Sequence, residues 1–327
     1  MLISIVVLSY NRPEQIKRIL ESLVGVISDD IKLIIKDDRS PRIDEINKIV
    51  EEFKGLIGFE VELYLNGKNL GYDRNLLDSF YITDSDYVFL LSDDDYILGE
   101  NFDELISIIS KKENDVYFTP YHNGNIVNRK KDKGYSEGDF KDIIYNSILF
   151  SGLIFNRNAV LRLEKNTNFL ADCIYTQVYL ASLLAYNSKS YGFAPENVLF
   201  LGGDGENFFG KNQSAVNSDI LSDRDKITSN MNYQPFLLKV VDEIAHKTHP
   251  KIKKLFLNEY SKRLISYGLK ARSAGISVYY EFYTHFLHSK LPFRFLMFPF
   301  FCSLFFVPKI IAKKIHQTGL SLFRKAG

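Results

Sequence analysis

The chain has 327 residues, of which 46% are hydrophobic and 25% are charged. This composition is typical of a globular protein with one large core or two smaller ones, and it excludes an intrinsically disordered chain. The net charge of +1 argues against a general nucleic-acid-binding protein. The two cysteines, Cys173 and Cys302, lie far apart without metal-site spacing, which indicates a reducing compartment and no disulfide framework.

Strands and helices alternate along the first 120 residues. Short runs of β-branched and aliphatic residues predict strands at residues 3–8, 31–36, 61–65, 86–91 and 115–119. Between these runs, apolar residues recur at helical spacing and predict helices that begin near residues 13, 41, 71 and 102. Such alternation is typical of an α/β fold, so we predict a mostly parallel sheet flanked by helices, with right-handed crossovers.

Polar side chains follow three of these strands where each strand ends. They are Ser9 and Tyr10, then Asp37 and Asp38, then the acids at 93–95. The carboxyl ends of parallel strands share one edge of the sheet, where ligands usually bind. Neighbouring carboxylates raise one another's pKa unless a cation lies among them, and Mg²⁺ or Mn²⁺ prefers such oxygen ligands. The alternative is a solvated acidic turn that caps the next helix.

The second half of the chain is less regular. The pattern predicts a polar loop at about 121–139, a helix near 140–149, a strand at 152–155, a helix at 172–186, a strand at 197–201 and a Gly-rich loop at 202–207. A mainly helical pattern runs from about 235 to 289. We predict three regions: a ligand-binding domain at 1–215, a helical region at 216–290 and a C-terminal tail at 291–327.

The C-terminal tail, residues 291–327, has an unusual charge pattern. No acidic residue follows Glu281, and the apolar stretch between Arg294 and Lys309 is interrupted by prolines. The stretch is shorter than the roughly 20 residues that a membrane-spanning helix needs. We therefore predict a segment that lies at a membrane surface with its lysines near anionic headgroups. The alternatives are a buried core helix, an oligomer contact or, less favoured, a true span.

Four motifs resemble family 2 glycosyltransferases of the GT-A (Rossmann-like) fold, the inverting nucleotide-sugar enzymes of bacterial polysaccharide synthesis. They come in the family's order and spacing: Ser9-Tyr10-Asn11-Arg12, Asp37-Asp38-Arg39-Ser40, Asn69-Leu70-Gly71-Tyr72-Asp73-Arg74-Asn75 and Ser92-Asp93-Asp94-Asp95. The resemblance covers residues 1–120 well and extends loosely to about 210. The last motif is similar to transferases of O-antigen or capsule synthesis of the abequosyltransferase-like type. The resemblance implies a GT-A sheet with a C-terminal helical extension.

The resemblance also implies roles for individual residues. Tyr10 and Asp38 match positions that contact the nucleobase and ribose, and Arg74 matches an arginine near the nucleotide. Asp93 and Asp95 match the acids that hold Mn²⁺ or Mg²⁺, with Asp95 as the direct ligand unless Asp94 takes that place. The residues implied to bind the nucleotide sugar are Ser9, Tyr10, Arg12, Asp38, Arg74, Asp93 and Asp94. A helix-capping acid is the structural alternative for Asp38, and a solvated arginine for Arg74.

Transfer of a sugar requires a general base that takes the proton of the acceptor hydroxyl. In the family, this base lies at the start of a helix after the acceptor-side strand, and Asp172 matches that place. The chain has Ala171 where many relatives have glutamate. Asp204 and Glu206 are rival candidates, and a simple helix cap is the structural alternative for Asp172.

These features together predict a metal-dependent, inverting glycosyltransferase that adds one sugar to a lipid-linked or saccharide acceptor. The chain has no tryptophan, so it lacks the Gln-x-x-Arg-Trp motif of processive family 2 synthases. We expect a cytoplasmic enzyme at the inner face of the cell membrane, attached through its C-terminal tail, with no nucleic-acid partner. The alternatives are a non-catalytic nucleotide- or sugar-binding scaffold and a sugar nucleotidyltransferase.

Overall fold

The computed structural model describes residues 1–123, 126–129, 135–163, 167–202, 223–289, 291 and 294–325. The chain divides into two compact units. One unit consists of Met1–Gly205 with Glu243–Ile252, and the other of Glu206–Asp242 with Lys253–Gly327. The region boundaries that we place at 215 and 290 from the sequence stay a prediction.

The strands of the described residues all lie in the first unit. In chain order they are β1 (Ile3–Ser9), β2 (Ile27–Asp37), β3 (Gly58–Leu65), β4 (Tyr87–Ser92), β5 (Tyr96–Ile97), β6 (Val116–Phe118), β7 (Tyr121–Asn123), β8 (Ile126–Asn128), β9 (Leu153–Asn156), β10 (Gly192–Phe193) and β11 (Leu199–Phe200).

The α-helices of the described residues lie between and after these strands. They are α1 (Pro13–Glu21), α2 (Ile43–Lys54), α3 (Tyr72–Ile82), α4 (Phe102–Ile109), α5 (Phe140–Ser147), α6 (Arg157–Arg162), α7 (Thr167–Leu170), α8 (Thr176–Ser188), α9 (Asp223–Lys247), α10 (Lys251–Ala274), α11 (Ile276–His288), α12 (Arg294–Leu304) and α13 (Lys309–Lys325).

The main sheet has seven strands in the order β10-β6-β9-β4-β1-β2-β3. All neighbours pair in parallel except β9, which runs antiparallel to both β4 and β6. The predicted mostly parallel sheet flanked by helices is therefore confirmed. The two central strands β1 and β4 are buried almost throughout, as expected for strands covered by helices on both faces.

A second, four-stranded sheet has the order β5-β11-β7-β8. Its strands β7 and β8 pair antiparallel and lie inside the segment that the sequence predicts to be a loop. Each of these two strands has three residues. A strand this short is too brief for a period-two pattern to become visible in the sequence, which explains the wrong prediction.

Strand register brings the polar strand ends together. Ser9 at the end of β1 pairs with Asp37 at the end of β2, and Leu8 pairs with Ser92 at the end of β4. The Asp38 N–H donates to the Ser9 carbonyl at 2.9 Å. The predicted common edge of the three polar strand ends is therefore present in the structure.

The second unit has an aromatic core of its own. Phe301 of α12 packs against Phe282 and Phe286 of α11, with ring centroids 5.3 and 4.5 Å apart, respectively. The Tyr279 hydroxyl donates to the Phe301 carbonyl. Gly268 of α10 also faces this ring, because a Cβ there would lie 2.6 Å from its Cε1 atom. In the part of the chain that the structure describes, no helix is long and apolar enough to cross a membrane.

Gly152, which precedes β9, allows a test of packing in the main sheet. Its φ is 78°, and a Cβ there would lie 2.5 Å from Leu199 Cδ2 and 3.0 Å from Thr119 Cβ. Gly25 has a φ of 79° with no described atom within 4 Å of such a Cβ. Gly25→Ala should therefore lose only about 1–2 kcal/mol of stability, which is what a left-handed backbone conformation costs an L-residue. Gly152→Ala adds overpacking and should destabilise by about 2–4 kcal/mol in all.

The midpoints of thermal and urea unfolding of the two variants test this difference. Gly25→Ala is the matched control, because it imposes the same backbone conformation without the contact to Leu199. Equal losses of stability in the two variants would contradict the packing shown around Gly152.

Candidate active site

The loops after β1 and β2 are tied to each other. Asn11, with a φ of 59°, donates its backbone N–H to the Ser40 hydroxyl oxygen at 2.6 Å. The Ser40 hydroxyl and N–H both donate to the buried carboxylate of Asp37. The residue at the N-cap of α1 is Arg12, which makes no side-chain capping hydrogen bond. The loop geometry therefore directs the Arg12 side chain away from its own helix and leaves it available to the acids beyond β4.

Asp38 is buried and already accepts three hydrogen bonds. Its Oδ1 accepts from Asn66 Nδ2 at 2.8 Å and from the Leu70 N–H at 2.7 Å. Its Oδ2 accepts from the Gly71 N–H at 3.0 Å. The carboxylate thus fixes the turn that leads into α3. Because each carboxylate oxygen has two lone pairs, Oδ2 can accept one more donor.

A buried lysine supports this arrangement from behind. Lys36 of β2 is fully buried, and its Nζ donates to Asn75 Oδ1 at 2.5 Å and to Asp78 Oδ2 at 3.0 Å. Burial lowers the pKa of Lys36, while the hydrogen bond and charge of Asp78 raise it in part. Asn75 Oδ1 also accepts from Asn66 Nδ2, so Lys36 is linked to Asp38 through two asparagines.

Asp93, the first acid after β4, is held by the loop after β1. The Tyr10 N–H donates to its Oδ2 at 3.2 Å, and Arg12 Nη1 lies 3.4 Å from its Oδ1. Burial raises the pKa of Asp93 to about 7, although the charge of Arg12 and the Ser9 hydroxyl act in the opposite direction. Ser9, Tyr10 and Arg12, all predicted site residues, therefore surround this one carboxylate.

The two following acids contact different groups. Arg12 Nη1 lies 4.0 Å from Asp94 Oδ2, and Arg18 Nη2 donates to the Asp94 carbonyl at 2.5 Å. Asp95 is buried and accepts from the Gly202 N–H at 3.3 Å. Burial first, and then the charge of Asp94, raise the pKa of Asp95, while the hydrogen bonds from Ser151 and Gly202 lower it in part.

The acids meet only part of the requirements of a metal site. Within the described ranges, no three His, Cys, Asp or Glu side chains converge as a set of metal ligands. Mg²⁺ and similar ions, however, are often bound by one or two carboxylates together with substrate phosphates. Asp93 and Asp95 are desolvated and lie beside a third acid, so a divalent cation would relieve the cost of ionising them. The residues present fit a cation that binds together with a diphosphate.

Arg74 and Asp172, the other predicted site residues, are both exposed. Arg74 lies in the first turn of α3. Asp172 lies in the turn between α7 and α8, four residues before α8 begins, and not in the helix that the sequence predicts from residue 172. Neither side chain makes a hydrogen bond or ion pair with a described residue. The rival candidates Asp204 and Glu206 lie outside the described residues.

Three residues that are not among the predicted site residues also shape this region. Arg129 is buried and donates from Nε to the Asn146 carbonyl at 2.7 Å and from Nη1 to the Ser151 carbonyl at 2.6 Å. Burial lowers the pKa of Arg129 to about 10, while the charges of Tyr121 and Asp95 raise it in part. The others, Arg18 and Gly202, contact the acids directly. Only Gly202 carries a sequence signal, as the first residue of the Gly-rich loop.

Residues 4–174, just over half of the chain, match the Glycosyl transferase family 2. The chain therefore belongs to this family and is a glycosyltransferase. The family assignment made from the four sequence motifs is confirmed.

Two curated relatives share sequence with the chain. It is 22% identical over 286 residues to poly(ribitol-phosphate) beta-N-acetylglucosaminyltransferase TarP of Staphylococcus aureus, covering 85% of this chain and 84% of that protein. It is 29% identical over 103 residues to abequosyltransferase RfbV of Salmonella typhimurium, covering 31% of this chain and 30% of that protein.

Solved structures show the same fold. Residues 1–349 of S. aureus TarS in complex with UDP-GlcNAc superpose with a TM-score of 0.53 at 15% identity, covering 85% of this chain and 89% of that chain. The mannosyltransferase PcManGT from Pyrobaculum calidifontis, in complex with GDP-Man and Mn²⁺, gives a TM-score of 0.56 at 11% identity, covering 98% and 83%. At these identities the similarity shows a shared GT-A fold alone.

The raised pKa of Asp93 predicts how stability depends on pH in the absence of metal. Its pKa of about 7 in the folded state lies above the value of about 3.9 expected when unfolded. Between these values the folded state binds more protons than the unfolded state, so the free energy of unfolding should fall as pH rises and level off above about 7. Each unit of difference is worth at most about 1.4 kcal/mol.

Urea unfolding in EDTA between pH 5 and 8 checks this prediction. Asp93→Asn should make the decline shallower, because the asparagine does not titrate, and the part that remains is expected from Asp95, whose pKa is also raised. Asp84→Asn, which changes an exposed aspartate before β4, is the control and should keep the slope of the parent protein. A decline of the same steepness in Asp93→Asn and the parent would exclude Asp93 as its source.

Proposed function

We propose that this chain moves one sugar from a nucleotide diphosphate sugar to a saccharide or lipid-linked acceptor during synthesis of a bacterial surface polysaccharide. The observation that carries the proposal is the common edge of β1, β2 and β4, where desolvated acids lie between arginine side chains. The name of the relative TarP gives poly(ribitol-phosphate) as its acceptor, which supports a polymeric acceptor, and the name of RfbV gives the sugar that it transfers, abequose.

The donor nucleotide would bind across the ends of β1 and β2. Tyr10 is 37% exposed and offers its ring to a base, and Asp38 Oδ2 can accept one further hydrogen bond from a base N–H. Arg12 and Arg74 supply positive charge for the diphosphate, and Ser9 and Asp94 complete the proposed donor site. Arg74 suits this role because its guanidinium is exposed on the first turn of α3.

Asp95, assisted by Asp93, would hold Mn²⁺ or Mg²⁺ together with the donor diphosphate. The bound cation would neutralise the negative charge that gathers on the leaving group. Asp95 is the better ligand of the two, because Asp93 is already paired with Arg12. The solved structure of PcManGT, which contains GDP-Man and Mn²⁺ on a similar fold, supports a divalent cation.

Asp172 would act as the general base for transfer with inversion. The acceptor oxygen attacks the anomeric carbon from the face opposite the diphosphate, and its proton passes to the Asp172 carboxylate. The bond between the anomeric carbon and the diphosphate oxygen breaks with both electrons leaving on the nucleoside diphosphate. The exposed position of Asp172, without a described donor, leaves its oxygens available to an acceptor hydroxyl.

A thermal-shift screen tests the donor site. UDP, GDP, CDP and dTDP are each added with and without Mn²⁺. We expect one nucleotide to stabilise the protein mainly when Mn²⁺ is present, by about 2.7 kcal/mol at 100 times its Kd. In Asp95→Asn the dependence on Mn²⁺ should disappear, because one of the two proposed metal ligands loses its charge.

Asp103→Asn is the control for this screen, because Asp103 is exposed on α4 and should leave the shift unchanged. A full Mn²⁺-dependent shift in Asp95→Asn would contradict the metal assignment. If no nucleotide stabilises the parent protein, the donor-site proposal fails. Release of pyrophosphate in place of a nucleoside diphosphate would identify a nucleotidyltransferase.

We propose further that the C-terminal tail attaches the enzyme to the inner face of the cell membrane. Its outer apolar side chains are strongly exposed, with Leu296 at 85% and Phe306 at 88%. We call this set the tail face; it comprises Phe295, Leu296, Phe298, Phe300, Phe306, Ile310, Ile311 and Ile315. Exposed apolar residues concentrated on one segment indicate a surface that contacts another apolar phase or partner.

The charge of the tail favours an anionic lipid surface as that partner. Lys309, Lys313 and Lys314 are exposed on α13 among the isoleucines of the tail face, and no acid follows Glu281 in the sequence. Each lysine near an anionic leaflet contributes about 1 kcal/mol, and apolar side chains that enter the interface add to this. A segment of this kind would bring the enzyme to lipid-linked acceptors.

Co-sedimentation with vesicles tests the attachment. The full chain should sediment with vesicles of phosphatidylglycerol and phosphatidylcholine and much less with phosphatidylcholine alone. The double variant Leu296→Asp/Phe306→Asp should weaken binding at least about tenfold, because burial of each side chain is worth about 1.5–3 kcal/mol. Leu56→Asp, at an exposed leucine of the first unit, is the matched control.

Undiminished sedimentation of the double variant would exclude the tail face as the membrane contact. The other outcome is that the parent protein fails to bind vesicles and forms an oligomer in light scattering. If the double variant is then a monomer, the tail face is an interface between copies of the chain.

A further inference from the structure

We propose that Asp73 is a positioning residue whose carboxylate, on the donor-side helix α3, fixes the turn that carries Asp172. The inference rests on the proposed function, since it gives Asp172 the role of the base. Asp73 belongs to the third sequence motif, but it has no role in the resemblance or in the proposed donor site.

The Asp73 carboxylate contacts residues between 173 and 176. The side chain is buried, and its Oδ2 accepts from the Ile174 N–H at 2.8 Å. Its Oδ1 accepts from the Thr176 hydroxyl at 2.8 Å, and the Cys173 thiol lies 3.8 Å from the same oxygen. Both carboxylate oxygens are therefore used to hold the residues that directly follow Asp172.

The backbone conformation of Ile174 explains why this turn needs the contacts with Asp73. Its φ is 66°, in the left-handed region that costs an L-residue about 1–2 kcal/mol and that β-branched residues rarely enter. Strained conformations of this kind persist where surrounding contacts over-determine them. The Ile174 N–H bond to Asp73 is such a contact, because it fixes the peptide that enters the strained residue.

Tyr72, the residue before Asp73, makes a second contact between α3 and α8, and Gln177 also binds the C-cap residue of α5. The Tyr72 hydroxyl donates to Gln177 Oε1 at 3.0 Å, and Gln177 Nε2 donates to the Ile148 carbonyl at 2.8 Å. The start of α3 is thus joined to the start of α8 at two neighbouring residues. Since Arg74 follows Asp73, the proposed diphosphate contact and the proposed base are set at a fixed separation, which is what orientation of two reactants requires.

Two substitutions of Asp73 can separate the effect of its hydrogen bonds from the effect of its negative charge. The Thr176 hydroxyl has one hydrogen and two acceptors within reach, Asp73 Oδ1 at 2.8 Å and the Leu170 carbonyl at 3.1 Å. In Asp73→Asn the amide oxygen can still accept from Ile174, and the Thr176 hydroxyl can turn to Leu170 while accepting from the new amide group. Asp73→Ala offers neither contact.

Cys173 reports on the turn without any substrate. Its thiol is buried, and burial followed by the charge of Asp73 raises its pKa to about 11. In a Cys302→Ser background, Cys173 should react slowly with a maleimide. Asp73→Ala should speed the reaction at least about tenfold, the result of a local opening made easier by about 1.4 kcal/mol. Asp73→Asn should stay within about threefold of the parent, which separates geometry from charge.

Release of nucleoside diphosphate, from the sugar nucleotide that the thermal-shift screen selects, gives the functional readout. Asp73→Ala should lower kcat about 100-fold through displacement of the base, with the donor KM nearly unchanged. Asp73→Asn should restore most of the activity. Thr176→Val, a milder change, should give an intermediate kcat, and Asp86→Ala, which breaks a surface ion pair with Lys112, should have no effect.

Asp172→Asn separates failure of the inference from failure of the proposed function. It should lower kcat about 100-fold or more if Asp172 is the base. Loss of turnover in Asp172→Asn with full turnover in Asp73→Ala would overturn the positioning role and leave the base in place. Undiminished turnover in Asp172→Asn would overturn the base and, with it, the role of Asp73. An Asp73→Asn variant as inactive as Asp73→Ala would overturn positioning by hydrogen bonds.

Discussion

The structure around the proposed donor site depends on one constraint: three consecutive carboxylates follow a buried central strand and must be kept from repelling one another. Two arginines compensate these acids. Arg12, the N-cap residue of α1, lies near both Asp93 and Asp94, and Arg18, in the last turn of α1, donates a hydrogen bond to the Asp94 carbonyl. Both arginines reach β4 because β1 is its parallel neighbour. The sheet order therefore determines the electrostatics of the site.

The acids remain only partly compensated. Burial raises the pKa of Asp93 and Asp95 even with arginines and N–H donors beside them. The fold thus tolerates a cost at these two acids, whereas Asp37 on the same edge accepts two hydrogen bonds from Ser40. Buried acids that are costly to ionise are a property of a site that gains stability when a cationic ligand arrives. This is the physical link between the family assignment and the proposed cation.

The sequence is a good guide to the proposed donor side of the site and a poor guide to the proposed acceptor side. Strands β1, β2 and β4 are predictable because they are long, apolar and followed by polar residues, and parallel pairing then brings those residues together. Strands β7 and β8 are too short to carry a pattern. Arg129 donates to carbonyls that lie between 10 and 22 residues away in sequence, and the turn at Asp172 depends on Asp73, about 100 residues earlier. Local patterns do not encode such long-range contacts.

The first turn of α3 shows how one short stretch can serve several needs. Successive residues of an α-helix differ in direction by about 100°, so neighbours face different surroundings. Asp73 faces the turn before α8, Arg74 faces solvent, and Asn75 faces Lys36 and Asn66. Asn75 is linked to Asp38 through Asn66, which donates to both side chains. If the proposed roles hold, a substitution in this turn acts near the base, near the diphosphate or near the nucleobase according to its position, and an insertion there would disturb all three together.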